Sequence, residues 1–258
     1  MQATRSILLV GSLALVAVRG ASAQAPAYGG GMLECARFAE SVTGSIESRL
    51  GSERRLETLG RAGILVVRAA PDSGGLLLEA WYDTLAVLRD GPEGRFTPDT
   101  DGIIGGRYRG VLEPRGDFLS LTTPYVPAAL RDLFDFSRIL LRFFPPLPPI
   151  ALEPGGEWTD GAELTIWRLA DSAAAGTARR YRWVRREQWQ EGVAVGDSTL
   201  VVSRTEREEG RLLWSAAEGP LGWSSAITAG LAFPGGGAES EVKQQVEVRR
   251  IPGCCPGR

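Results

Sequence analysis

From Ala36 the chain alternates: Phe38, Val42 and Ile46 share one face, while Ser41, Thr43, Ser45 and Glu47 fall on the other. A period of two over that length predicts a long, half-buried β-strand. Apolar runs at 64–67, 76–81 and 85–88 extend the pattern, with turn-rich stretches at 71–75 and 90–94 between them. Gly, Pro, Asp and Ser dominate those stretches because they tolerate tight backbone geometry. Two more strands are expected at about 103–113 and 116–123, joined by a turn at 114–117.

The period then changes once. Leu130, Leu133, Phe134, Ser137, Leu140, Leu141 and Phe144 recur at intervals of three and four, with Arg131, Asp135, Arg138 and Arg142 opposite. This spacing predicts one amphipathic helix over 127–144, opened by Pro127 and stopped by the prolines from Pro145 to Pro149. Strand signals resume at about 157–170, 178–190, 193–206, 210–218, 221–233 and 239–250, with turns expected at 171–176, 191–192, 208–210, 218–220 and 234–237. Five strands, one helix and six strands make a mainly β chain of about 11 strands. Neighbours in sequence should pair as an antiparallel meander, and strands this long favour a curved half-barrel. Its concave face needs a cover, and the helix is the available one. The candidate ligand-binding lining is therefore Leu130, Leu133, Phe134, Leu140, Leu141 and Phe144.

The first residues change the picture from fold to location. Arg5, an apolar stretch over 7–18 and Ala21-Ser22-Ala23 before Gln24 read as a secretory signal peptide covering 1–23. A flexible linker at 24–31, one β-rich domain at 32–252 and a Cys-containing tail at 253–258 complete the expected layout. No Cys stands at the cleavage point, so a lipoprotein anchor is not written there. Removing 1–23 deletes two arginines and no acid: 29 basic residues become 27 against 31 acidic, a net charge near −4. That balance argues against a nucleic-acid partner, and no later apolar run has the length of a transmembrane span. The expected location is the periplasm or the extracellular space.

Candidate chemistry is sparse. The chain has no His, which removes a Ser-His-Asp site and the commonest general base. Ser240 and Lys243 match a penicillin-binding S-x-x-K, but in an alternating strand they point to opposite faces. Asp99-Thr100-Asp101-Gly102 begins like a calcium loop, yet Gly110 stands where the twelfth-position Glu belongs. Gly102, Gly105, Gly106 and Gly110 precede a strand, so they read as room for close backbone approach and not as a phosphate cradle. Carboxylate pairs such as Glu79 with Asp83 or Glu241 with Glu247 read as surface acids. Residues 179–186 place Tyr181, Trp183 and Arg185 on one face and Arg180, Arg182 and Arg186 on the other, a solvated arginine row or a patch for headgroups or acidic partners. No cofactor, no metal site and no enzyme is expected. Cys35 can bridge Cys254 or Cys255 and clip the chain ends together.

In layout the chain resembles the LolA- and LppX-like envelope carriers, with local echoes in Gly102-Ile103-Ile104-Gly105-Gly106 and in Leu152-Glu153-Pro154-Gly155-Gly156-Glu157-Trp158 of uncharacterised secreted relatives of that fold. The resemblance implies a hollow that carries a lipid or the acyl chains of a lipoprotein. The rival expectation is an envelope structural or protein-interaction module with a filled core; a hydrolase ranks third. The exported protein should begin at Gln24, and non-reducing peptide mapping should join Cys35 to Cys254 or Cys255. Retention of Met1 in a membrane fraction would reject export, and three free thiols would reject the clip.

Overall fold

A computed structural model describes residues 24–131, 134, 136, 139–171, 177–195, 198–233 and 238–253. The fold is one open, curved, antiparallel sheet of 12 strands in the order β6-β5-β3-β2-β1-β12-β11-β10-β9-β8-β7, with β4 beside β3. The strands are β1 (Ala36–Leu50), β2 (Glu53–Asp72), β3 (Gly75–Gly91), β4 (Gly94–Phe96), β5 (Tyr108–Leu112) and β6 (Phe118–Thr122), then β7 (Glu157–Asp160), β8 (Leu164–Arg168), β9 (Arg179–Val195), β10 (Ser198–Ser215), β11 (Gly219–Ala232) and β12 (Ala238–Ile251). The sheet begins and ends at its centre, because β1 pairs with β12 from Arg37 opposite Ile251 to Leu50 opposite Ala238. From that seam one meander runs outward to β6, and the second returns inward from β7.

The alternation that predicted β1 is the alternation of its burial: Ala36, Phe38, Glu40 and Val42 point inward, and the residues between them face out or sit at intermediate depth. Following the pairing across the sheet, Phe38 shares the inner face with Leu65, Tyr82, Trp223, Leu212 and Tyr181. These side chains form the wall of one core cluster.

Several boundaries differ from those expected. The count is 12 against about 11, because the short β4 adds a strand. Expected strand 157–170 divides into β7 and β8, and the expected strands at 193–206 and 210–218 are one strand, β10. The turns expected at 191–192 and 208–210 lie inside β9 and β10. Gly210 is there for a different reason: a Cβ on it would come within 2.0 Å of the Trp183 ring, which lies flat against this backbone. Residues 101–105 form a turn, so the strand expected from about 103 starts later, at Tyr108; the turn is held by Thr100 Oγ1 donating to Leu85 O at 2.8 Å and by the Asp101 amide donating to Asp99 Oδ1 at 2.9 Å.

The largest correction is the helix. In place of a continuous helix over 127–144 the structure has α1 (Ala128–Arg131) and α2 (Ile139–Phe143), with Phe134 and Phe136 outside any helix. The reason lies in burial. Both phenylalanines point into the core, at 5% and 1% exposure. Two residues apart on a helix they would diverge by about 200°. A broken path lets both face the sheet, and helices of four and five residues have little stability of their own to oppose it.

Candidate functional site

The hollow of the sheet is occupied by the chain that crosses from β6 to β7. Phe143 lies edge-on to Trp223 of β11 at 4.9 Å between ring centroids and to Phe38 of β1 at 5.5 Å. Phe144 packs on Tyr28 at 5.3 Å, and Tyr28 in turn on Trp214 at 5.2 Å. Tyr28 belongs to the stretch read as a linker, yet it is fully buried and its hydroxyl donates to Pro145 O at 2.9 Å. Pro145, Pro146, Leu147 and Pro148 are buried as well, so the proline run lies inside the domain as an extended strap. The Leu147 amide donates to Arg115 O at 2.9 Å, which ties this cover to the turn between β5 and β6.

Of the lining residues expected from periodicity, Leu130, Phe134, Leu140 and Phe144 are brought together in the core cluster. Leu141 is not: it is exposed at 36%, because α2 turns its neighbours Leu140 and Phe143 inward. Leu133 lies outside the described residues. The pattern passed over Phe136, Ile139 and Phe143, all of which are buried, since a single regular helix would have pointed them away.

Beneath Phe134 and Phe136 sits a buried charge cluster. Arg61 on β2 forms a two-point ion pair with Glu40 on β1, with Nη2 to Oε1 at 2.7 Å and Nε to Oε2 at 3.2 Å. Tyr82 on β3 donates its hydroxyl to Glu40 Oε2 at 2.8 Å. Gly63 lies opposite Glu40 in the sheet, and a Cβ there would come within 2.5 Å of the Thr84 carbonyl oxygen and 3.2 Å of the Tyr82 ring. The Arg61 guanidinium then lies 4.9 Å from the centroid of Phe134 and 5.7 Å from that of Phe136. Dispersion and cation–π attraction therefore hold the cover over an ion pair whose side chains are 9% and 3% exposed. Burial, reinforced by the Glu40 charge, pushes the Tyr82 phenol well above its ordinary value, and burial alone does so for Tyr28. The sequence signal for this cluster was present: Glu40 falls on the apolar face of Phe38 and Val42.

The other constellations resolve as surface features. Ser240 and Lys243 point to opposite faces of β12, and Lys243 pairs with Glu241 at 2.6 Å. Glu79 is held by Arg109 at 2.9 Å and Asp83 by Arg37 at 2.8 Å. Tyr181 and Trp183 face the core while Arg182 faces outward, 3.4 Å from Glu209. No cluster of three or more metal-binding side chains occurs among the described residues. No helix among them is long and apolar enough to cross a membrane. The pairing of Arg37 with Ile251 brings the end of β12 close to Cys35 in the sheet, while Cys254 and Cys255 lie outside the described residues. No family model matches the chain, and no curated protein is significantly similar to it.

The cluster makes two predictions. Glu40→Ala strands the Arg61 charge and the Tyr82 hydroxyl in the core, so it should cost about 3–5 kcal/mol in denaturant unfolding. Alkali should act through the tyrosines. Below an ordinary phenol pKa of about 10 both folded and unfolded chains keep the proton and the contribution is fully present; above it only the unfolded chain ionises, so stability falls as pH rises toward the folded-state values. Urea midpoints measured between about pH 8 and pH 11 should drop, less steeply in Tyr82→Phe; a flat profile would show that these phenols are not buried in solution.

Proposed function

We propose that this is an exported, non-enzymatic binding protein whose hollow accepts an apolar or amphiphilic chain, a lipid or the acyl chain of a lipoprotein, in the place now taken by the cover. One observation carries the reading. Among the described residues, the part of the core that fills the hollow contributes no strand to the sheet, and it consists of two helices of four and five residues and a proline strap. Its hold on the sheet is mainly side-chain packing, an apolar surface that a ligand's hydrocarbon can replace in kind. The resemblance in layout to LolA- and LppX-like carriers supports the same reading, and export from a signal peptide at 1–23 belongs to it.

A second reading has its own support. The rings of Phe38, Phe143 and Trp223 meet at 4.9–5.5 Å, packing that suits a permanently filled core and hence an envelope structural or protein-interaction module. The two readings differ in how the cover competes with ligand. If a chain must displace it, loosening the cover raises the open fraction and tightens apparent binding in proportion. Titration with an uncharged fluorescent long-chain alcohol should therefore show saturable binding to the parent and about tenfold tighter binding to Phe143→Leu. Absence of saturable binding by both would overturn the carrier reading and leave the filled module.

A further inference from the structure

The outer face of the sheet carries a groove of about 700 Å³ that runs across the strands. Its floor is one row of paired residues, Glu40, Val248, Trp223, Leu212 and Tyr181, which crosses β1, β12, β11, β10 and β9. The side chains of that row point inward to the core, so the groove sees their backbone. Its walls are the outward neighbours on either side. One wall is the row Ala39, Arg249, Gly222, Leu213 and Arg180; the other is Ser41, Glu247, Ser224 and Arg211. Five strands at about 4.8 Å spacing make such a groove roughly 19 Å long, and rows two residues apart make it about 7 Å wide. That is the shape of one extended chain.

Charge gives the groove a direction. At its β1 end the walls are Ala39 and Ser41, small and neutral. At β12 Arg249 on one wall and Glu247 on the other cancel. At β10 and β9 Arg211 and Arg180 stand with no opposing carboxylate in the walls, beside the apolar Leu213, Leu221 and Leu169. Arg211 is in no ion pair among the described residues. Arg180 spends Nη2 on Ala170 O, and its Nε is buried with no acceptor. Two cations at one end of a narrow, otherwise neutral and partly apolar groove complement an anion with a hydrocarbon tail.

We propose that this groove is a binding site for a single-chain anionic amphiphile, an acyl chain ending in a carboxylate or phosphate, with the head group between Arg180 and Arg211 and the tail lying toward Ala39. The site is separate from the covered hollow: it is on the opposite face of the sheet and needs no movement of the cover. It also gives the outward arginine row of β9 a ligand of definite chemistry.

Calorimetric titration of the full chain tests it with four probes below their micellar concentrations: dodecyl phosphate, dodecanoate, dodecanol and inorganic phosphate. The two anionic amphiphiles should occupy the groove one to one, at least tenfold more tightly than dodecanol or inorganic phosphate does. Arg180→Ala with Arg211→Ala should weaken that groove binding about tenfold, and Ser224→Trp, an exposed substitution that fills the groove, should abolish it. Phe143→Leu should leave this groove binding unchanged, since it acts only on the hollow. Equal binding of inorganic phosphate would overturn the amphiphile. Anionic binding that ignores the groove variants and responds to Phe143→Leu would assign all binding to the hollow and reject this site, whereas loss of alcohol binding alone would reject the hollow and leave the groove.

Discussion

A curved sheet with an apolar inner face is stable only if something other than water lies on it. Phe38, Leu65, Leu212 and Trp223 present that face, and their burial depends on the segment that crosses them. At about 25 cal/mol per Å² of buried apolar surface, a few such side chains carry several kcal/mol. The same requirement breaks the expected helix, because a regular helix cannot aim Phe134 and Phe136 at one arginine. The charge cluster of Glu40, Arg61 and Tyr82 follows from it too: under a fitted aromatic cover these groups are dry, so each must satisfy the others.

Topology explains why the cover lies where it does. Pairing β1 with β12 fixes the two ends of the domain at the centre of the sheet and sends its two meanders toward opposite edges. The middle of the chain must then travel from β6 at one edge to β7 at the other. Crossing the hollow buries its apolar residues; crossing the outer face would leave them in water. The prolines at 145–149 give that crossing a stiff, extended course, and buried Tyr28 and the Arg115 carbonyl bind its end. The outer face stays open, so its polar rows are free to meet a ligand of their own.

Period-two alternation made the sheet legible, because a half-buried strand writes its inner and outer faces directly into the sequence; the faces read for β1 and for residues 179–186 hold in the structure. Glycines misled at Gly210, read as a turn signal when it makes room for Trp183, a contact between strands that no local pattern reports. Periodicity also failed over 127–144, since the residues there obey the shape of the hollow and not the repeat of a helix. Leu130, Phe134, Leu140 and Phe144 were readable; Leu141, Phe136 and Phe143 depended on tertiary packing. The outer groove was invisible beyond its arginines, because it arises from registers across five strands.

A binding role for the hollow requires that the cover be exchangeable with a ligand. Hydrogen exchange with and without a saturating long-chain alcohol measures this residue by residue. Displacement predicts faster exchange at the amides of α2 and at Leu147, while the β1 amides paired to β12 keep their protection. Equal or slower exchange throughout the cover, with ligand bound, would contradict it.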